Sequence, residues 1–192
     1  MGLETIISIC LGIGLAASVG FRVFVPLFAL SLASYFDVWE LNESWQWIGS
    51  TTALITLGVA TVVEIFAYYI PYIDNLLDTV AVPLAAIAGT AVMMSTVADL
   101  SPVVTWSLAI IAGGGTAAAI AGSSSTARLA STAATGGLAN PIVSTIETGT
   151  SVVMSVVSIF IPILAVILVF IILFLIFKVF KKFKSTKAKN PQ

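Results

Sequence analysis

The chain has 192 residues, of which 59% are hydrophobic and 9% are charged, and its formal net charge is −1. Such a composition is incompatible with an ordinary water-soluble domain and predicts an integral membrane protein of one domain. The near-neutral charge excludes nucleic acid as an expected partner. One cysteine and no histidine exclude a disulfide framework, a zinc site and the usual histidine-based nucleophile pairs. We therefore expect no metal and no cofactor, and not an enzyme, since only chemistry by a few acidic residues would remain.

The first apolar run covers residues 6–33 and contains Arg22. As one straight helix it would be about 42 Å long, well beyond a hydrocarbon core of about 30 Å. Gly20 and Pro26 are natural breaking points on either side of the arginine. The run therefore predicts a broken or re-entrant hairpin centred on Arg22.

Polar turns and apolar spans alternate in the middle of the chain. The loop at 35–47 is rich in tryptophan and acidic residues and lacks lysine and arginine, so it is expected at the interface opposite the basic C-terminal end. Apolar spans follow at 50–70, with Glu64, at 79–98 and at 104–121. Pro71, Asp74 and Asp78 are expected to end the first of these spans, and Asp99 to lie in the turn before the last.

Residues 122–141 are small and polar and contain one charge, Arg128. They are too polar to face lipid and too poor in charge for a disordered linker, so we expect them to be buried within the bundle as a second broken or re-entrant element. An ordinary loop outside the bilayer is the alternative. The preceding glycines, 113–115, are expected to serve close packing or a helix break.

The last apolar run, 142–177, is long enough to need a break, and Pro162 is the obvious place for it. Six of the eight basic residues lie between Lys178 and Lys189. Lysines directly after an apolar segment are typical of a cytoplasmic tail, here 179–192, and such a tail can also contact anionic lipid.

Arg22 and Arg128 share a local pattern. Gly14, Ser18, Arg22 and Pro26 are spaced by four residues, as are Ser124, Arg128, Thr132, Gly136 and Asn140. An apolar span with a glutamate follows each pattern, Glu64 in one case and Glu147 in the other. This indicates an internal duplication with halves at about 1–80 and 100–178, an organisation that many transporters have.

The two arginines need a polar and enclosed environment. Placing arginine at the centre of a lipid-facing helix costs about 2.5 to 3.5 kcal/mol on insertion scales, so such residues usually find partners inside a bundle. The candidates are Glu64, Glu147, Asp74 and Asp78.

Two roles are open for these charges. Arg22 with Glu64 and Arg128 with Glu147 could be ion pairs that only lock the bundle. Alternatively, the two guanidinium groups form a site for a phosphate or carboxylate, which their planar geometry suits. Ser18, Ser124 and Asn140 would then help to bind the anion, while Glu64, Glu147, Asp74 and Asp78 gate or pair. A stripe of hydroxyl groups in the last run would line the path: Ser144, Thr148, Ser151, Ser155 and Ser158.

Three stretches resemble a family of bacterial membrane proteins catalogued as domain of unknown function 4126: GLAASVGFRVFVPLF, EIFAYYIPYIDNLLDTV and GGLANPIVSTIE. The resemblance covers nearly the whole chain. It implies an integral membrane protein with two related halves and brings no established activity. The motif positions that it carries over are Arg22, Pro26, Glu64, Pro71, Asp74, Asn75, Asp78, Asn140, Pro141 and Glu147. Residues 66–71 depart from the charged residue and lysine expected there, which argues against an ion pair at that place.

The paired arginine-bearing hairpins also resemble, in design, the DedA-like membrane proteins linked to movement of polyprenyl-phosphate lipids. Analogy of design does not establish function, but it suggests a class of substrate.

The sequence thus predicts an all-α polytopic bundle of four to six membrane-embedded segments, with two related halves, over residues 1–178. The leading function is a transporter or flippase for an anionic small molecule or lipid headgroup. The alternative is a noncatalytic scaffold or accessory subunit of a membrane complex. Expected partners are membrane lipids, including anionic ones, and a second copy or another membrane protein. The expected location is the bacterial inner membrane, with several crossings and a cytoplasmic C-terminus.

Overall fold

The fold is all-helical over the residues that the computed structural model describes, 2–70, 73–97 and 100–189. Pro71 and Asp99, which the sequence placed in turns, lie outside these ranges. The helices are α1 (Leu3–Val19), α2 (Phe24–Tyr35), α3 (Thr51–Ala67), α4 (Ile73–Thr96), α5 (Pro102–Leu108), α6 (Gly115–Thr135), α7 (Asn140–Phe160) and α8 (Pro162–Lys189). A 3₁₀ helix, Glu43–Gly49, precedes α3, and a π-helical segment, Ala109–Gly114, joins α5 to α6.

Within the described ranges, three helical stretches are long and apolar enough to cross a membrane: Ile73–Thr96, Pro102–Thr135 and Asn140–Phe160. A fourth is formed if the 3₁₀ helix and α3, bent by 64° relative to each other, count as one broken span. The predicted all-α polytopic bundle with broken helices is confirmed. The predicted break in the last run is also confirmed, because α7 ends at Phe160 and α8 begins at Pro162.

The α1–α2 pair is a helical hairpin whose turn lies inside the bundle. Ser18 of α1 contacts Ser151 of α7, and Arg22 in the turn contacts Glu147 further back along α7, so α1 and α7 are antiparallel. After α2, the indole Nε1 of Trp39 donates to the carbonyl oxygen of Ile159 at 2.8 Å. The chain therefore enters and leaves at the end of the bundle where α7 ends, as a re-entrant element predicts.

Small residues allow α4 to approach the π-helical segment closely. A Cβ added at Gly89 would lie 2.8 Å from the carbonyl oxygen of Gly113, and one added at Gly113 would lie 2.6 Å from the carbonyl oxygen of Gly89. Backbones in this contact leave no room for a side chain. The predicted close packing is confirmed for Gly113 and Gly114, whereas a Cβ at Gly115 would meet only the carbonyl oxygen of Ile110, at 3.9 Å.

The prediction of a broken helix centred on Arg128 is wrong. Arg128 lies within the continuous helix α6, and the chain turns only after Thr135, where Gly136 and Gly137 adopt φ values of 64° and 89°. Three hydroxyl groups of this stretch, those of Ser123, Thr126 and Thr135, donate to the preceding turn of the helix instead of disrupting it. For example, the Oγ1 of Thr126 donates to the carbonyl oxygen of Gly122 at 2.7 Å, as serine and threonine do in apolar surroundings.

The expected burial of residues 122–141 is also wrong for most of the segment. Arg128 and Asn140 are buried, but Thr126, Ala130 and Ala134 are exposed in the single chain. Parts of the segment line cavities, because Ser124 and Arg128 border a small one and Thr132 and Asn140 a larger one. Most of the segment is helical and is not a loop. Residues 122–135 continue α6, which has one buried face and one exposed face here, and residues 136–139 form the turn that leads to α7.

Helix α4 begins at Ile73, earlier than the sequence suggested. Asp74 and Asp78 therefore lie in its first two turns and not in the preceding turn. Acidic residues are favoured at the start of a helix, because they interact with its unpaired amides and positive end. One oxygen of Asp74 accepts a hydrogen bond from the backbone N–H of Asn75 at 2.6 Å.

Candidate functional site

Arg22 lies in the turn between α1 and α2 and is 1% exposed. Its guanidinium group reaches α7, where Nε donates to the hydroxyl oxygen of Thr148 at 3.0 Å and Nη2 to the carbonyl oxygen of Ser144 at 3.0 Å. Nη1 donates to the carboxylate of Glu147 at 3.1 Å and to the carbonyl oxygen of Phe21 at 3.1 Å. Each guanidinium nitrogen therefore has a partner in the interior.

Arg128 approaches the same carboxylate from α6 and is 2% exposed. Its Nε donates to Oε1 of Glu147 at 3.3 Å, and its Nη2 pairs with Oε2 of that residue. Asp78 of α4 adds a weaker contact, 3.8 Å from its Oδ1 to Nε. Nη1 of Arg128 is buried without a hydrogen-bond partner among the described residues.

Tyr68, at the end of α3, lies against both arginines. Its ring centroid is 4.0 Å from Cζ of Arg22 and 4.1 Å from Cζ of Arg128. Both contacts are within the range of cation–π interactions, which strengthen when water is excluded. The aromatic ring and the shared carboxylate of Glu147 together offset the repulsion between two buried cations.

Glu64 does not pair with Arg22, so that predicted ion pair is wrong. Its carboxylate accepts hydrogen bonds from the backbone N–H groups of Val23 and Phe24 at 2.8 and 2.9 Å. These amides belong to the start of α2, where unpaired N–H groups and the helix dipole attract an anion. Glu64 thus ties α3 to the hairpin turn, and Arg22 pairs with Glu147 instead. The predicted pair of Arg128 with Glu147 is confirmed.

A small cavity touches the arginine cluster. It has a volume of about 10 Å³ and is lined by residues that include Arg22, Arg128, Ser124 and Tyr68. This is space for about one water molecule. In this conformation the cluster is closed around its own side chains.

A larger cavity of about 270 Å³ lies beside the cluster, at the end of the bundle where α4 and α7 begin, and is called the polar cavity here after its aspartate and asparagine side chains. Asp74 and Asn140 line it, and Nδ2 of Asn140 donates to Asp74 at 3.0 Å and to Thr132 at 3.0 Å. Tyr68 contributes to the lining of both cavities. The tyrosine therefore stands between the larger cavity and the two arginines.

The structure brings most of the predicted site residues together, but not all in one place. The central cluster contains Arg22, Arg128, Glu147, Asp78 and Ser124. Asp74 and Asn140 form the neighbouring cavity, and Glu64 binds the turn. Ser18 lies apart from both.

The hydroxyl stripe of α7 serves mainly to pack helices. Ser18 of α1 lies 2.9 Å from the hydroxyl of Ser151 and 2.7 Å from that of Ser155, all three being buried. Small polar residues of this kind are typical of helix contacts within membranes. The expectation that Ser151 and Ser155 line a transport path does not hold in this conformation.

Tyr68 is the residue that the sequence analysis missed. It stands in the stretch where the family resemblance led us to expect charge, and an aromatic side chain gives no charge pattern to detect. Its position four residues after Glu64 places it on the same face of α3, which is the signal that was available.

These observations define the class: an all-helical membrane protein with two buried arginines that share one carboxylate. The chain belongs to the family described as domain of unknown function (DUF4126), whose sequence model matches residues 9–182. The family resemblance seen in the sequence is thereby confirmed. Neither the curated proteins nor the solved structures yield a match.

Proposed function

We propose that the protein binds an anionic small molecule or lipid headgroup at Arg22 and Arg128 and moves it across the membrane. The observation that supports this is the convergence of two fully buried guanidinium groups on the carboxylate of Glu147. A carboxylate and a phosphate present the same oxygen geometry to guanidinium, so Glu147 occupies the place that an external anion would take.

Charge balance dictates how an anion would enter. Glu147 and Asp78 neutralise the two arginines in the closed conformation, so a bound anion must displace Glu147 from at least one of them. The unpartnered Nη1 of Arg128 offers a first contact. Displacement of an internal carboxylate makes the site selective for groups that form bidentate hydrogen bonds with arginine.

The hairpin turn provides the moving part in this proposal. Arg22 is carried by the turn, while Glu147 and Arg128 are carried by α7 and α6, so a shift of the hairpin would separate the two arginines. Glu64 holds the turn through two backbone amides and acts as the latch. Tyr68 separates the cluster from the polar cavity and acts as the gate.

The setting that we propose is the bacterial inner membrane, with the lysine-rich end of α8 in the cytoplasm. Membrane lipids are the partners, and the protein performs no chemical conversion. The exposed small residues of α6 provide a surface for a second copy or another membrane protein.

The direct test replaces both arginines by glutamine. In purified, folded protein, Arg22→Gln with Arg128→Gln should lower the affinity for phosphate-bearing lipids by at least about tenfold, since charged hydrogen bonds contribute about 1.5 to 3 kcal/mol each. The measurement is lipid binding in detergent and lipid movement in vesicles. Lys178→Gln is the matched control, because it removes an exposed positive charge. Binding and movement unchanged from the parent would refute transport.

A second test exploits the shared carboxylate. Glu147→Gln keeps the side-chain shape and removes the charge, so inorganic phosphate should raise the thermal stability of this variant more than that of the parent, at equal ionic strength. Glu43→Gln changes an exposed residue at the start of the 3₁₀ helix and should show the parent's response. Equal responses of all three proteins would mean that no anion takes the place of Glu147.

The second candidate function is a noncatalytic scaffold or accessory subunit. The closed cluster, with about 10 Å³ of free volume, favours it, because the charges then serve only to lock helices. In that case Arg22→Gln with Arg128→Gln would lower thermal stability and leave lipid binding as in the parent.

A further inference from the structure

The side-chain oxygen of Asn140 is a buried acceptor to which no described residue donates. The side chain is 5% exposed, and Oδ1 has no hydrogen-bond partner among the described residues. Its orientation is fixed by chemistry, because Nδ2 must face the carboxylate of Asp74, which cannot donate. A buried amide oxygen without a hydrogen bond lowers stability by about 1 to 3 kcal/mol, unless a ligand or a water molecule donates a hydrogen bond to it.

Asp74, next to it, is a buried carboxylate that pairs with no cation of the described part of the chain. It is 4% exposed, and no lysine or arginine side chain within the described residues lies within 4.0 Å of it. The two hydrogen bonds that it accepts from described residues come from neutral groups, the backbone N–H of Asn75 and the amide of Asn140. A buried charge of this kind is costly without a partner of opposite sign.

The cavity of about 270 Å³ is lined by these two acceptors and by aromatic side chains. Tyr68 and Tyr69 line it together with Asp74 and Asn140. A carboxylate, an amide oxygen and aromatic faces are the three groups that bind an ammonium ion, through charge, hydrogen bonds and cation–π contacts.

We propose that this cavity binds a primary ammonium group of the transported molecule. The inference rests on the proposed function, because it assigns the ammonium to the same ligand whose phosphate binds the arginines. Asp74 and Asp78 are one helical turn apart, about 6 Å along α4, and Asp78 contacts Arg128. The ligand class is therefore a phosphate joined to an amine by a short spacer, as in a phosphoethanolamine group.

Binding measurements on the full chain in detergent test this with headgroups that differ at one position. The probes are short-chain phosphatidylethanolamine, phosphatidylglycerol and phosphatidylcholine, with free phosphoethanolamine to separate a lipid from a soluble ligand. We expect phosphatidylethanolamine to bind at least about tenfold more tightly than phosphatidylcholine, whose quaternary ammonium cannot donate hydrogen bonds. Equal affinity for these two lipids would overturn the proposal without any variant.

Asp74→Asn then assigns the preference to the cavity. The variant should bind phosphatidylethanolamine about tenfold more weakly than the parent does, so that the preference over phosphatidylcholine is lost. Its affinity for phosphatidylglycerol should equal that of the parent. Asp37→Asn is the matched control, since it is exposed and asparagine tolerates its positive φ of 55°. Equal weakening of all lipids by Asp74→Asn would show that Asp74 only supports the fold, and would overturn the proposal.

The outcomes separate the two proposals. If the parent binds all three phospholipids equally and Arg22→Gln with Arg128→Gln abolishes binding, the anion site stands and the ammonium site fails. If the amine preference survives both arginine substitutions and disappears in Asp74→Asn, the ammonium site stands and the proposed anion site fails. Absence of binding by every probe refutes both.

Discussion

Tyr68 shows how one side chain organises the charges around it. The two guanidinium carbons lie 4.0 and 4.1 Å from its ring centroid, and its backbone carbonyl accepts a hydrogen bond from Ser144 at 3.3 Å. The ring replaces part of the hydration that Arg22 and Arg128 lose on burial. It does so without adding a charge that would compete with Glu147.

Substitutions of Tyr68 should distinguish the contribution of its aromatic ring to stability from that of its hydroxyl group. Tyr68→Phe keeps the aromatic face and is expected to change the free energy of unfolding by less than about 0.5 kcal/mol, whereas Tyr68→Leu should lower it by about 1 to 2 kcal/mol. Chemical unfolding in detergent micelles measures both values. Equal losses for the two variants would show that the contacts with the arginines contribute nothing.

At the scale of elements, the contact between α4 and the π-helical segment depends on two glycines that face each other. A π-helical turn contains more residues than an α-helical turn and shifts the faces that follow it, here those of α6 with Arg128. Gly89 and Gly113 allow the backbones of α4 and the π-helical segment to come into contact at this point. The position of Arg128 is therefore linked to a contact several turns away.

Alanine at the two kinds of helical glycine should have opposite effects. Gly89→Ala inserts a methyl group 2.8 Å from the carbonyl of Gly113 and should lower the free energy of unfolding by about 1 to 3 kcal/mol. Gly149→Ala, in α7, meets nothing within 4 Å and should raise it by about 0.5 to 1 kcal/mol, through helix propensity. Thermal unfolding of both variants in the same detergent makes the comparison. Stabilisation by Gly89→Ala would contradict the close contact.

Helix breaks could be predicted from the sequence more reliably than the contacts between charged side chains. The hairpin around Arg22 and the break at Pro162 were predictable, because span length and proline act locally. The continuity of α6 was not, since hydroxyl groups that favour turns in water bond to the preceding turn in lipid. The partner of Glu64 was not predictable either, because nothing in the sequence shows that the start of α2 would compete with Arg22 for its carboxylate.

At the scale of the whole molecule, charges are distributed unequally between the two ends. The loop with Trp39, Glu40 and Glu43 lies at the end of the bundle where α7 ends, as its hydrogen bond to Ile159 shows. The arginine cluster and the polar cavity lie towards the other end, where α4 and α7 begin. The orientation that we propose from the positive-inside bias would place the acidic loop away from the cytoplasm and the lysine-rich end of α8 on the cytoplasmic side.

Labelling with a membrane-impermeable maleimide tests this orientation. In a Cys10→Ser background, Glu43→Cys should react in intact spheroplasts, and Lys181→Cys should react only after the membrane is permeabilised. Both positions are exposed in the structure. The Cys10→Ser protein alone provides the baseline. The reverse pattern would invert the orientation and place the polar cavity on the outer side.

The position of Glu147 along α7 determines how far a ligand must enter the membrane to contact the two arginines. The 21 residues of α7 correspond to about 31 Å, close to the thickness of a hydrocarbon core, and Glu147 lies about 10 Å from the start of the helix. A phospholipid in the adjacent leaflet could therefore place its phosphate at the arginines by sinking less than half its length, while its acyl chains stay in their own leaflet. In the proposed function, passage to the opposite leaflet would require about another 20 Å along the tightly packed serine contacts of α7, so capture and crossing would be separate steps with separate barriers.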